Sequence, residues 1–331
     1  MHIPDNYLSP ETCIAMTAAM VPVWAVSIKK VKDHLPKEKV PKLGVGGAFS
    51  FLGMMFNVPL PGGTTGHAVG GTLIALLLGP WAACISVSMA LLLQALIFGD
   101  GGILAFGANC FNMAFVLPFV GYAVTHLIAP KFGTAESTNK RDLIAAGIGS
   151  YVGLNAAALC AAIEFGIQPM LFTDAAGNAL YCPYGLGIAI PAMMIGHLTL
   201  FGAVEAIFTV AILAFVRSAA PEMQLSHKEY RTSAPLKVFL GALILATPLG
   251  LIATGTAWGE WGADEIADTG IGYTPQGMLD GFQFEAIIPD YSVAGMPEVI
   301  GYILSAVIGV ACLVIIFKLA SLLKKGGETA A

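Results

Sequence analysis

Charge is scarce in this chain: Asp, Glu, Lys and Arg together make up 11% of its 331 residues. No basic cluster interleaved with aromatics occurs, which sets nucleic-acid binding aside. No G-x-x-x-x-G-K-[ST] stretch exists, so the chain does not hydrolyse ATP through a P-loop. H-E-x-x-H is missing as well, and no Ser or Cys nucleophile has an identifiable base nearby in sequence, which argues against a membrane metalloprotease. The six cysteines (Cys13, Cys84, Cys110, Cys160, Cys182 and Cys312) show no C-x-x-C spacing. Most fall in apolar runs, where cysteine serves as a small hydrophobe rather than as a metal or redox centre. Cys182, in a loop, is the one to test.

Positive charge is absent from the first 28 residues. A secretory leader needs a positive n-region and a small-residue cleavage site, whereas here the first apolar run ends in Lys29-Lys30. The expectation is therefore a mature N-terminus. Histidine at position 2 is too bulky for routine removal of the initiator methionine, so Met1 should persist with a free amine.

What the chain has instead is apolar sequence: 56% hydrophobic residues and a mean hydropathy of +0.78, values typical of an all-α polytopic membrane protein. A spanning helix takes about 20 apolar residues. Nine candidate spans are predicted, near 12–28, 43–58, 67–79, 80–98, 105–128, 142–165, 186–216, 236–254 and 299–323. The third is short, begins at His67 and is parted from the fourth by Gly79-Pro80. The Gly/Pro-rich stretch 59–66 cannot continue a helix; it must pack within protein or line a cavity, because lipid would leave its backbone unpaired.

With the N-terminus outside and nine alternating spans, every Lys and Arg falls on the inner side. Six lie between Lys29 and Lys42, three between Lys131 and Arg141, four between Arg217 and Lys237, and three between Lys318 and Lys325. This complete asymmetry predicts an N-out, C-in topology in the cell (inner) membrane. Eight carboxylates, from Glu260 to Glu298, gather in the outer loop 255–298. The predicted organisation is a seven-helix module at 1–216, a cytoplasmic linker at 217–235, and a two-helix auxiliary part with its acidic outer loop at 236–331.

The chemistry concentrates at the N-terminus. An amine followed by histidine can close two chelate rings on one ion, through the Met1 amine, the deprotonated His2 backbone nitrogen and a His2 ring nitrogen. His67, delivered by Pro59-Leu60-Pro61-Gly62-Gly63-Thr64-Thr65-Gly66, is the best candidate for a fourth nitrogen. Such a tetragonal nitrogen set suits Ni(II) or Cu(II), with Co(II) plausible, and suits Mg²⁺ or Ca²⁺ badly. Topology puts both halves on the outer side, and about ten extended residues reach roughly 30 Å, so the two can meet. Asn57, just before the loop, is a candidate partner for the free ring nitrogen of a ligating histidine; Thr65 and Asn109 are further candidates for holding the ligands in place. Gln94, Asn109, Asn112, Asn155, His197 and Glu205 are polar groups in or near apolar spans, where interhelical hydrogen bonding accounts for the amides. Glu205, mid-helix and ionisable, is the least ordinary of them. Ala15 with Ala19, and Gly44 with Ala48, are small-xxx-small pairs that permit close helix approach.

Met1-His2-Ile3-Pro4-Asp5, the Asn57-to-His67 stretch, and Phe98-Gly99-Asp100-Gly101-Gly102 followed by Gly107-Ala108-Asn109 resemble the CbiM/NikM family over residues 1 to about 216. These are substrate-capture membrane subunits of cobalt and nickel energy-coupling-factor transporters. The resemblance implies a seven-helix bundle that holds the metal by the Met1 amine, the His2 backbone and ring nitrogens, and the ring of His67. Asn6-Tyr7 stands where Gly-Phe is more usual. Trp258-Gly259-Glu260-Trp261-Gly262-Ala263-Asp264 and Ile288-Pro289-Asp290-Tyr291-Ser292 resemble the CbiN/NikN auxiliary subunit of PDGLE type, without its Gly-Leu-Glu. The resemblance further implies a transmembrane coupling subunit and two ATP-binding-cassette ATPases as partners. Co²⁺ or Ni²⁺ is then a transported substrate, with no catalytic cofactor and no enzymatic role in this chain. The alternatives are a stand-alone metal channel or carrier and a membrane-embedded metalloenzyme.

Overall fold

The computed structural model describes residues 1–60, 64–134, 136–223 and 233–323. Pro61, Gly62 and Gly63 of the glycine-rich loop, most of the expected linker with Lys228 and Arg231, and Lys324 and Lys325 lie outside the described residues.

Among the described residues nine helices carry the body: α1 (Pro10–His34), α2 (Pro41–Met55), α3 (Gly71–Leu78), α4 (Pro80–Phe98), α5 (Phe106–Ile128), α6 (Asn139–Leu171), α7 (Leu186–Ala219), α8 (Ala234–Ile252) and α9 (Glu298–Leu323). Their starts follow from sequence. The Ser9 hydroxyl accepts from the Thr12 amide at 3.1 Å ahead of Pro10, and Thr138 and Ser233 cap α6 and α8 in the same way. Each cap satisfies an amide that the helix leaves unpaired.

Seven of the nine are long and apolar enough to cross a membrane: all except α2 and α3. The spans expected at 43–58 and 67–79 are thus shorter than predicted. At about 1.5 Å per residue, α2 is about 22 Å long and α3 about 12 Å, against a hydrocarbon core of about 30 Å. Fourteen of the fifteen α2 residues are buried, as is nearly all of α3. Protein rather than lipid surrounds them, which is where an interrupted span is tolerated. His67 does not begin a helix. It follows a two-stranded antiparallel hairpin, β1 (Val58–Leu60) with β2 (Thr64–Gly66), and precedes Gly70, whose φ of 72° is left-handed. A side chain at that φ would be strained, so helical geometry starts only at Gly71.

The auxiliary helices are packed into the main bundle. α9 lies along α2 so closely that a Cβ on Gly44 would stand 2.8 Å from the Leu313 carbonyl oxygen, and one on Gly309 would strike the Phe51 ring. The Gly44 pair therefore serves helix approach, as its spacing suggests, whereas Ala15 and Ala19 are exposed. At the end of the bundle that collects the basic residues, Arg217 pairs with Asp142 at 2.8 Å. Asp142 also accepts from the Gly133 amide at 2.9 Å, tying the α5–α6 connection to α7.

Gly309→Leu should lower the apparent Tm of the purified chain, since forced overpacking costs about 1–3 kcal/mol. Gly241→Ala, inside α8 where a Cβ meets nothing within 4 Å, should not lower it. Thermal unfolding in detergent checks both, and equal Tm values would contradict the α2–α9 packing.

Candidate metal centre

The N-terminal segment turns back into the bundle and is held by its backbone. The Ile3 amide donates to Asn109 Oδ1 at 2.7 Å, and Asn109 Nδ2 donates to the Ile3 carbonyl at 3.0 Å. The Gly102 amide donates to that same carbonyl at 2.8 Å. Asp5 accepts from the Ile103 and Leu104 amides at 3.0 and 2.7 Å. Further on, the Ser9 amide donates to Gln168 at 3.0 Å, and the Cys182 amide to the Tyr7 carbonyl at 2.9 Å. Met1, His2 and Ile3 are all buried in consequence.

This clamp sets the His2 ring against His67, with ring centroids 5.0 Å apart and His2 Nδ1 3.2 Å from His67 Nε2. His67 Nδ1 faces the Ala68 carbonyl at 3.2 Å. A carbonyl only accepts, so Nδ1 carries the ring proton and Nε2 presents its lone pair to His2. His67 lies outside every helix, and burial, reinforced by the neighbouring His2, pushes its pKa well below the ordinary histidine value. It is a neutral donor. Asp100 Oδ1 lies 3.1 Å from the same His2 Nδ1, while His2 Nε2 is buried with no partner. A cavity of about 570 Å³ opens beside the two rings, with Asn57, Thr65 and Asp100 in its wall.

Of the residues singled out from sequence, His2 and His67 meet directly, with Met1 adjoining. Asn57 and Thr65 border the cavity, and Asn109 grips Ile3 rather than a ring. Cys182 is fully buried and burial pushes its thiol up to about 12, so it is a packing residue. Three-residue His, Cys, Asp or Glu clusters fit to hold a metal do not occur among the described residues; the nitrogens gathered here include a chain-terminal amine and a backbone amide, which are not side chains.

Sequence reasoning missed the reach of the auxiliary outer loop. Glu260 meets the Met1 amine at 2.5 Å. The Trp258 amide donates to Thr64 at 2.8 Å, and the Tyr291 hydroxyl donates to Asp100 at 2.5 Å. Gln94 donates both to Asp100, at 3.0 Å, and to the Tyr291 oxygen, at 2.8 Å. Burial and the Asp100 charge hold Tyr291 above the usual phenol range, so it stays a donor. A chain of polar contacts thus runs from the auxiliary part through Asp100 to His2. Asn6, one of the two unusual residues, has a left-handed φ of 65°, a conformation asparagine tolerates. Its amide exchanges two 2.9 Å hydrogen bonds with the Phe282 backbone, contacts a glycine would lack. The only sequence hints were the loop's acidity and the Trp258-to-Asp264 and Ile288-to-Ser292 stretches.

Comparison with known proteins agrees with this architecture. The family model described as the cobalt uptake substrate-specific transmembrane region matches residues 2–223, and that of the PDGLE domain matches 234–326. The chain is 50% identical to a probable fused nickel transport protein, LarMN, of Lactiplantibacillus plantarum, over 96% of this chain and 97% of that one. It is 48% identical to the fused nickel transport protein NikMN of Rhodobacter capsulatus, with 95% of each covered. A crystal structure of a truncated transition metal transporter superposes with a TM-score of 0.61 at 55% identity, covering 66% of this chain and 98% of that one.

Tyr291→Phe removes a buried hydrogen bond to a carboxylate, an interaction of about 1.5–3 kcal/mol. Amide hydrogen exchange over 288–292 should accelerate while that of α4 and α9 stays slow. Unchanged protection would contradict the contact.

Proposed function

This chain belongs to the CbiM family of cobalt and nickel transport membrane proteins, in a form joined to a PDGLE domain, and on that premise we propose that it captures Ni²⁺ or Co²⁺ at its own N-terminus. The donors are the Met1 amine, the His2 backbone nitrogen, His2 Nδ1 and His67 Nε2. The observation that carries this reading is the 3.2 Å approach of two ring nitrogens beside a buried chain terminus. Adjacent corners of a square with metal–nitrogen bonds of about 2.0 Å lie about 2.8 Å apart, so a shift of a few tenths of an ångström brings both rings onto one ion. The tautomer of His67 already points its lone pair inward. Asn57 and Thr65 border the site, and Asn109 fixes the terminus that supplies three of the four donors.

Coordination needs the amine lone pair, so the ion must displace the Glu260 contact. The centre lies at the bundle end opposite the basic residues, and the positive-inside rule puts that end outside the cell membrane. The ion enters from there, sheds water and is wrapped by the chelate. Release inward then requires work from elsewhere, because the sequence has no P-loop. The partners that fit are a transmembrane coupling subunit and two ATP-binding-cassette ATPases, as in an energy-coupling-factor importer. The chain itself is a transport component, not an enzyme.

Residues added ahead of Met1, or acetylation of its amine, should abolish tight Ni²⁺ and Co²⁺ binding while leaving the fold intact, with cooperative thermal unfolding retained even though the Glu260 contact is lost. Titration against a competing chelator checks this; undiminished affinity in the extended protein refutes the chelate. Binding should also weaken steeply as pH falls, because protons compete for each of the nitrogens.

A further inference from the structure

His67 stands in a stretch outside helix and strand, and what holds that stretch comes from across the bundle. Three side chains of α7 at i, i+4 and i+7 spacing present one helix face to residues 66–70. Phe201 covers Gly66 so tightly that a Cβ there would lie 2.8 Å from its ring. Phe208 does the same at Gly70, at 2.9 Å. Between them sits Glu205, with 0% exposure, its carboxylate accepting from the Val69 amide at 2.7 Å and the Gly70 amide at 3.0 Å. Among the described residues Glu205 has no cationic partner. A buried carboxylate is costly unless hydrogen bonds compensate it, and here both compensating donors belong to the backbone that follows His67.

From this geometry we infer that Glu205, flanked by Phe201 and Phe208, is a positioning residue that fixes where His67 presents its Nε2 lone pair. The inference rests on the metal-capture reading above. The arrangement also supplies the two amides ahead of α3 with an acceptor, so Glu205 stabilises the start of that helix. A purely structural cap would nonetheless be free to come from any local Ser, Thr, Asp or Asn. An acceptor from a helix distant in sequence instead ties the loop's position to α7, the element packed on both sides of His67. Glu205 Oε2 accepts from both amides and Oε1 also faces the Gly70 amide at 3.1 Å; Glu205→Gln keeps the size but removes the charge and turns an amide donor toward the Gly70 N–H or away from Val69, which loosens the anchor.

The test uses the full-length chain with its native N-terminus and Ni²⁺ as the probe. Affinity is measured by competition with a chelator, and the coordination set by the visible absorption of the Ni²⁺–amide chelate. Glu205→Gln should weaken affinity about 10- to 100-fold, as loss of groups that orient ligands does, and shift the spectrum toward that of His67→Ala. In the His67→Ala background, where the Met1–His2 chelate still binds, Glu205→Gln should cause no further loss. A lowered Tm with unchanged affinity and spectrum, or an undiminished loss in the His67→Ala background, would overturn the positioning role. If Glu205→Gln does not fold, Phe208→Leu takes its place and must show the same spectral shift and the same dependence on His67. If His67→Ala binds Ni²⁺ as the parent does, the capture reading fails and this inference with it; a His67-dependent parent with an indifferent Glu205→Gln variant defeats the inference alone.

Discussion

A chain terminus is ordinarily the most mobile part of a protein, and here it is buried and hydrogen-bonded into the bundle. The reciprocal pair of hydrogen bonds between Asn109 and the Ile3 backbone is the constraint on which the rest depends. It leaves only two residues beyond the clamp, and those two carry the amine and the first imidazole. Had the clamp fallen several residues later, the entropy of ordering a free arm would oppose every contact made by His2. Asp5, bound to two amides, and the Gly102 amide on Ile3 make the grip two-sided.

The two histidines of the candidate centre reach each other by opposite means. His2 arrives on an N-terminal segment pinned at its backbone. His67 arrives on a loop moulded by bulky side chains of a distant helix. The short α2 and α3 follow from the second arrangement: a chain that leaves helical geometry over 56–60 and 64–70 does not also span the bilayer there. Their near-complete burial lets the hairpin between them sit in the bundle without exposing backbone to lipid.

Much of this was legible in the sequence, for identifiable reasons. Seven spans followed from apolar length, and the hairpin region from Gly and Pro, which stop helices wherever they cluster. His2 and His67 stood out because one adjoins a terminal amine and the other ends a glycine-rich loop. Glu205 was conspicuous as a mid-helix acid, but its partner is a pair of backbone amides, which every residue carries and no pattern marks. Glu260 and Tyr291 were hidden by distance along the chain: the first meets a residue 259 positions away and the second one 191 away. Such pairings leave no periodicity. The helix expected to start at His67 was misplaced because apolarity from Ala68 to Leu78 does not distinguish an extended buried segment from a helical one.

The auxiliary part meets the main bundle through two kinds of contact that differ in what can exchange them. Along α9 the contact is apolar and close, glycine against backbone and ring, and nothing in water or lipid substitutes for it without opening a void. Over the cavity the contacts are hydrogen bonds and an ion pair, each of which water can replace at a net cost of about 0.5–3 kcal/mol. Trp258 and Trp261, packed near Phe165 and Tyr184, anchor one side of the loop between these extremes. Covalent fusion adds effective concentration, since a loop tethered by α8 and α9 stays near the cavity even when every polar contact is broken. Anchored by the close packing of α9 on α2, the loop keeps its place over the cavity when a polar contact is exchanged for water.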